Sequence, residues 1–135
     1  MNDELAIRRR VERYCDAVNR RDGAAWIDCW WPDARWLIRD RRITGTEDIL
    51  SAWETAMAGY AQVHFFAQIG TIAQTGDRAK VRVYTTEHLT TIDGAERLQI
   101  GEYDDLLENR EGVWRFAERS FRVREQRHVD SGERR

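Results

Sequence analysis

From about residue 61 to residue 124 the chain reads as four long extended runs of roughly a dozen residues each, separated by compact turn signals. These signals are "TGD" at 75–77, "DG" at 93–94 and "NREG" at 109–112, and each can join two antiparallel strands. Four long strands in succession make a twisted meander, and a sheet of this kind has one face that must be covered.

The first sixty residues supply the cover. In residues 3–20, Ile7, Val11, Tyr14, Cys15 and Val18 recur at i, i+4, i+7, i+8 and i+11, one apolar stripe on an amphipathic helix. "RRDGAAW" breaks it at Gly23, and the pattern predicts a short second helix through Trp26, Cys29 and Trp30 that Pro32 ends, because the residue before a proline avoids the α region. "ARWLI" reads as a strand. "TGTEDILSAWETAMAG" reads as a third helix, with Thr46 as N-cap, Glu47 and Asp48 in the first turn, an Ile49, Trp53, Met57 stripe, and Gly59 at its end. Three helices followed by a meander is an α+β architecture. The sheet must curl around the helical stripe, which leaves a pocket between the two layers.

Length and charge bound the rest. The chain has 135 residues, 41% hydrophobic and 34% charged, the composition of one globular domain, expected over residues 1–124. "EQRHVDSGERR" at 125–135 reads as a frayed polar tail. A net charge of −2 argues against a nucleic-acid partner. No apolar run approaches the ~18 residues of a membrane span, so no membrane partner is expected. "MNDELAIRRR" lacks a secretory apolar core. Cys15 and Cys29 have no ligand spacing and read as free thiols of a reducing compartment. These features together point to a cytoplasmic location.

Strand alternation sorts the candidate site residues. In the first long strand His64, Phe66, Gln68 and Ile72 share one face, and Val63, Phe65, Ala67 and Ile69 the other. In the second, Ala79, Val81, Val83, Thr85 and Glu87 form the apolar, inward set, and His88 points out. With Gly76-Asp77 as a two-residue turn, Phe66 falls opposite Glu87, and His64 becomes the diagonal neighbour of that carboxylate. A carboxylate there would raise the imidazole's pKa and fix its tautomer, as a general base requires. Alternation sets His64 and His88 on opposite faces, so they are not read as metal ligands. Trp36 and Trp53, with Phe66 and Phe121, are expected to line an apolar pocket, joined by Val18, Thr85 and Tyr103.

"YCDAVNRRDGAAWIDCWWPDARW", the His of "VHFF" and the closing "NREGVWRFAERSFRV" resemble the SnoaL-like branch of the nuclear transport factor 2-like superfamily, over roughly residues 5–124. Within that branch they are most similar to scytalone dehydratase, hexachlorocyclohexane dehydrochlorinase and bile-acid dehydratase. The resemblance implies a cone-shaped α+β fold that needs no metal or organic cofactor and eliminates water or hydrogen chloride from apolar ring substrates. It implies His64 as the base. Asn19 falls where the relatives carry an imidazole-orienting Asp, Arg119 where an Arg holds a leaving group or carboxylate, and Tyr14 where a polar helix residue stands. Asn19 has no charge to stabilise imidazolium, which leaves Glu87 as a candidate replacement.

The leading expectation is therefore a lyase or dehydratase acting on a small hydrophobic cyclic or aromatic substrate. Two alternatives stand beside it. One is a ketosteroid-isomerase or polyketide-cyclase kind of isomerase, whose carboxylate base would fall at Ile38. The other is a non-catalytic small-ligand binding module. An outward sheet face bearing Val63, Phe65 and Ile69 suggests a homo-oligomer, dimer or trimer, formed through the sheet.

Overall fold

The computed structural model of the chain describes residues 2–129. Helices α1 (Glu4–Arg20), α2 (Gly23–Ile27) and α3 (Thr46–Ala58) cover one face of a single curved, unclosed sheet. Its strands are β1 (Trp30–Ile38), β2 (Arg41–Thr44), β3 (Tyr60–Thr75), β4 (Arg78–Thr91), β5 (Glu96–Arg110) and β6 (Val113–Val129). The strand order is β2-β1-β6-β5-β4-β3. All neighbours are antiparallel except β1 and β6, which run parallel. The expected α+β cone is therefore present, with two more strands than the meander alone.

The α1 stripe is buried as its spacing predicts at Ile7, Val11, Tyr14 and Val18, with Ile49 and Trp53 of α3 beside it. Tyr14 meets five rings, those of Trp26, Trp30, Phe65, Tyr103 and Phe116, at centroid distances of 5.5 to 6.5 Å. Trp26 stacks on Trp53 at 4.5 Å and 8°, which ties α2 to α3. Aromatic pairs of this geometry add about 0.5–1.5 kcal/mol beyond the area they bury.

The second helix ends earlier than expected, at Ile27, and Pro32 lies inside β1. It sits between Trp30 and Arg35, where the pairing with β6 shifts register. The irregular stretch accommodates the missing N–H, so proline is tolerated there. Gly45, at φ 89°, is the N-cap of α3, and Thr46 is its first residue. The expected tail is not frayed up to Val129: residues 125–129 belong to β6 and pair with β5. Residues 130–135 lie outside those described.

The main departure concerns β3. The turn pairs Thr75 with Arg78, as expected, and the ladder continues to Thr71 opposite Arg82. The next pair is Ile69 with Val83, so Gly70 is an extra residue. This β-bulge advances the alternation by one and exchanges the two faces of everything before it. Phe65, not Phe66, lies opposite Glu87, and His64 lies opposite His88. Val63 and Phe65 are buried in the core, whereas Phe66 is 65% exposed. On the outer face of β3 and β4 the exposed large apolar groups are thus Phe66 and Tyr84, not Val63, Phe65 and Ile69. Glycine suits the bulge, since a Cβ at Gly70 would stand 2.8 Å from the Tyr84 ring.

Candidate active site

The interior of the cone holds a cavity of about 170 Å³. Its size is close to that of an engineered cavity of ~150 Å³ that admits one benzene ring. Tyr14 and Val18 of α1, Trp36 and Ile38 of β1, Trp53 and Met57 of α3, Val63 and Phe65 of β3, Glu87 and Leu89 of β4, Gln99 and Tyr103 of β5, and Phe121 and Val123 of β6 form its wall, with Arg39 and Tyr60 at the rim. Seven of the expected site residues meet there: Tyr14, Val18, Trp36, Trp53, Glu87, Tyr103 and Phe121.

Five do not. His64 is exposed on the outer face, its ring 6.2 Å from that of His88. The imidazole expected at the pocket is therefore on the other side of the sheet, and the expectation that His64 and His88 lie on opposite faces is overturned with it. His88 Nε2 in turn lies 3.2 Å from Glu96 Oε1. Phe66 follows His64 outward. Thr85 faces inward but is buried, its Oγ1 and the Phe121 ring both packed against Gly101.

Asn19 has a structural task. Its Oδ1 accepts from Phe65 N–H at 2.8 Å, and its Nδ2 donates to Phe65 C=O at 2.7 Å and to Cys15 C=O at 3.0 Å. The amide thus pairs both backbone groups of one residue on the free edge of β3, which would otherwise be open, and it joins α1 to the sheet.

Arg119 is 1% exposed. Its Nε and Nη2 donate to both Asp105 oxygens at 2.7 and 2.9 Å. Its guanidinium lies 4.4 Å from the Tyr14 ring centroid, 3.7 Å from that of Tyr103 and 4.2 Å from that of Phe116. The partner is Asp105, whereas Asp33 pairs with Arg110 and Glu102 with Arg82, Arg122 and Arg124. Burial lowers the guanidinium's pKa, and the Asp105 carboxylate, with the two tyrosine hydroxyls, more than offsets this. Arg119 is thus a charged support behind the cavity wall, sealed off from any ligand.

Glu87 is the carboxyl that faces the cavity. Burial pushes its pKa up to about 7, opposed by a single hydrogen bond from Gln99 Nε2 at 3.2 Å. Gln99 Oε1 accepts from Gln126 Nε2 at 3.0 Å, so the Gln99 amide is oriented with its donor toward Glu87. Nearby, burial raises the Tyr14 phenol to about 12, against the Arg119 charge, and raises Tyr103 well above its usual range. The two phenols hydrogen-bond to each other, and both stay protonated. The arrangement combines a proton acceptor poised near neutrality with a neutral, mutually hydrogen-bonded pair of phenols in an apolar cavity, which is the equipment of acid–base chemistry at carbon. Gln99 and Gln126 were not legible as site residues: neither stands in a motif, and Gln126 falls in the segment read as tail.

A cone of three helices and a six-stranded sheet around a small apolar cavity is the nuclear transport factor 2-like class of fold. The chain belongs to the SnoaL-like domain family, whose profile matches residues 1–120. It is similar to hexachlorocyclohexane dehydrochlorinase type 3 from Novosphingobium barchaimii, with a TM-score of 0.86 and 17% identity over 94% of this chain and 90% of that one. A protein provisionally described as a scytalone dehydratase, from Novosphingobium aromaticivorans, gives 0.84 and 16% over 93% and 87%. A protein of unknown function from Mycobacterium tuberculosis gives 0.77 and 28% over 88% and 74%. No curated protein matches the chain in sequence.

Proposed function

We propose that this protein is a cofactor-independent lyase of the dehydratase or dehydrohalogenase kind. In this reading Glu87 removes a proton from carbon of a small hydrophobic cyclic substrate, and the Tyr14–Tyr103 pair donates a hydrogen bond to the leaving group. The C–H electron pair becomes the new C=C bond as the leaving group departs, and the proton is held on Glu87. The apolar wall of Trp36, Trp53, Val63 and Phe121 holds the ring and keeps out water, which sharpens each electrostatic contact.

The observation that carries this reading is Glu87 itself. It is a carboxyl at the cavity wall with an amide for a partner rather than a cation, and so it is free to exchange a proton near pH 7. Support comes also from the dehydrochlorinase and dehydratase among the similar structures. A carboxylate base facing two phenols equally suits proton transfer from one carbon to another, as an isomerase performs. Ile38, where a ketosteroid-isomerase kind of base would fall, does line the cavity but is apolar.

The test is a panel of monocyclic β-hydroxy and β-halo compounds incubated with the protein in D2O and followed by NMR. Elimination or deuterium uptake should fall about 100-fold or more in Glu87→Gln, the usual contribution of a general base, and survive in His64→Gln. Activity that survives in Glu87→Gln and is lost in His64→Gln would overturn the assignment.

A further inference from the structure

One rung of the cavity wall is hidden. On β4 and β5, Glu87 lies opposite Gln99 and Val83 opposite Tyr103, and the rung between them pairs Thr85 with Gly101. Glu87, Gln99 and Tyr103 line the cavity, whereas Thr85 and Gly101 do not. Phe121 of β6 takes up the room over this rung. A Cβ on Gly101 would stand 2.3 and 2.5 Å from two atoms of the Phe121 ring and 2.8 Å from Thr85 Oγ1. Glycine inside a strand marks a place where something approaches the backbone closely, and here an aromatic ring does. That ring is half-buried, packs on Tyr103 at a centroid distance of 4.7 Å and forms part of the cavity wall.

Thr85 is 1% exposed, and its Oγ1 has no hydrogen-bond partner among the described residues. A buried hydroxyl without a partner is uncommon and costly. The inward positions before it on β4 are Ala79, Val81 and Val83, and a valine at 85 would fill nearly the same room with no polar atom to satisfy.

We infer that Phe121 is a gate over a subsite formed by Thr85 and Gly101, so that the cavity takes a ring with a carbonyl-bearing side arm, its oxygen bound by the Thr85 hydroxyl. This rests on the cavity being the ligand site and names its substrate class. The closed cavity, about 170 Å³, has room for one ring. Turning Phe121 off Gly101 frees the space over the rung for the arm. A carbonyl there supplies the acceptor that the Thr85 hydroxyl lacks. It also sits one strand repeat, roughly 7 Å, from Glu87 on the same face.

The test titrates benzene, ethylbenzene and acetophenone against the protein by calorimetry, the last two alike in shape but for the carbonyl oxygen. In Thr85→Val, which keeps the side-chain shape, acetophenone should lose about fivefold in affinity, the scale of one hydrogen bond, with ethylbenzene unchanged. Phe121→Ala holds the subsite open. It should tighten acetophenone about tenfold or more, as expected when the open state is about 10% or less of the natural protein, and leave benzene unchanged. An acetophenone-to-ethylbenzene ratio that is the same in the natural protein and in Thr85→Val would overturn the oxygen subsite. Equal tightening of benzene and acetophenone in Phe121→Ala, or none, would overturn the gate. Either result leaves the cavity reading intact, and Thr85→Val decides by itself where Phe121→Ala does not fold. Failure of every probe to bind the natural protein and both variants would overturn the cavity reading together with the inference.

Discussion

Two carboxyl groups sit on the inward face of this sheet, and they have been given opposite surroundings. Asp105, near the narrow end, is fully buried and receives two hydrogen bonds from Arg119, whose charge is in turn spread over three aromatic faces. Burial pushes its pKa up to about 6 even though Arg119 pulls it down. Glu87 is also pushed up by burial, but only an amide opposes it. A carboxyl clamped by a guanidinium behind the cavity wall cannot reach a ligand to trade protons with it. One held by an amide at a cavity wall can. The difference separates a structural charge from a working one within a single sheet.

Breaking the Arg119–Asp105 pair should have the largest effect. Arg119→Met leaves Asp105 as a lone buried acid, and a loss of about 3–5 kcal/mol is expected, measured by urea denaturation. The same loss in Glu87→Gln would erase the distinction between the two sites.

Glu87→Gln should instead stabilise the fold in alkaline solution. A folded-state pKa of about 7, against 4.5 for a glutamate in water, means that the folded protein binds more protons than the unfolded chain between these values. Stability contributed by the neutral carboxyl is therefore complete below about pH 4.5 and lost as pH rises through 7. Relative to the natural protein, the variant should gain on the order of 2 kcal/mol between pH 5 and pH 8, seen as a rising difference in melting temperature. A difference that does not change with pH would contradict the assignment.

A smaller effect sharpens the same contrast. Asn19→Asp restores the residue type expected at this position, but it should cost about 1–3 kcal/mol and raise no activity. Two backbone carbonyls now accept from Asn19 Nδ2, and a carboxylate offers them no donor. A gain in elimination rate on this substitution would show that His64 acts after all.

Much of the fold could be read from local pattern, and the failures have a common cause. The α1 stripe and the inward set Ala79, Val81, Val83, Thr85 and Glu87 follow from periods of 3.6 and 2, and all are buried except the half-buried Cys15 and Glu87. The turn at Gly76-Asp77 was legible as well. Strand β3 was misread because alternation carries its phase only until a bulge, and one residue reverses it. Gly70, a lone glycine within an extended run, was the signal that could have marked the site. The parallel pairing of β1 with β6 and the choice of Asp105 as Arg119's partner depend on contacts distant in sequence, which local pattern does not encode. The same holds for Gln126, which reaches Glu87 only through Gln99.

The central claim is that Glu87, not His64, is the group in the cavity that gains and loses a proton near neutral pH. A side-chain 13C NMR titration of the natural protein, with Glu87→Gln used to assign the resonance, tests it directly. The account predicts an apparent pKa of about 7 for the Glu87 carboxyl. Titration near 4.5, the value of a solvated glutamate, would contradict it.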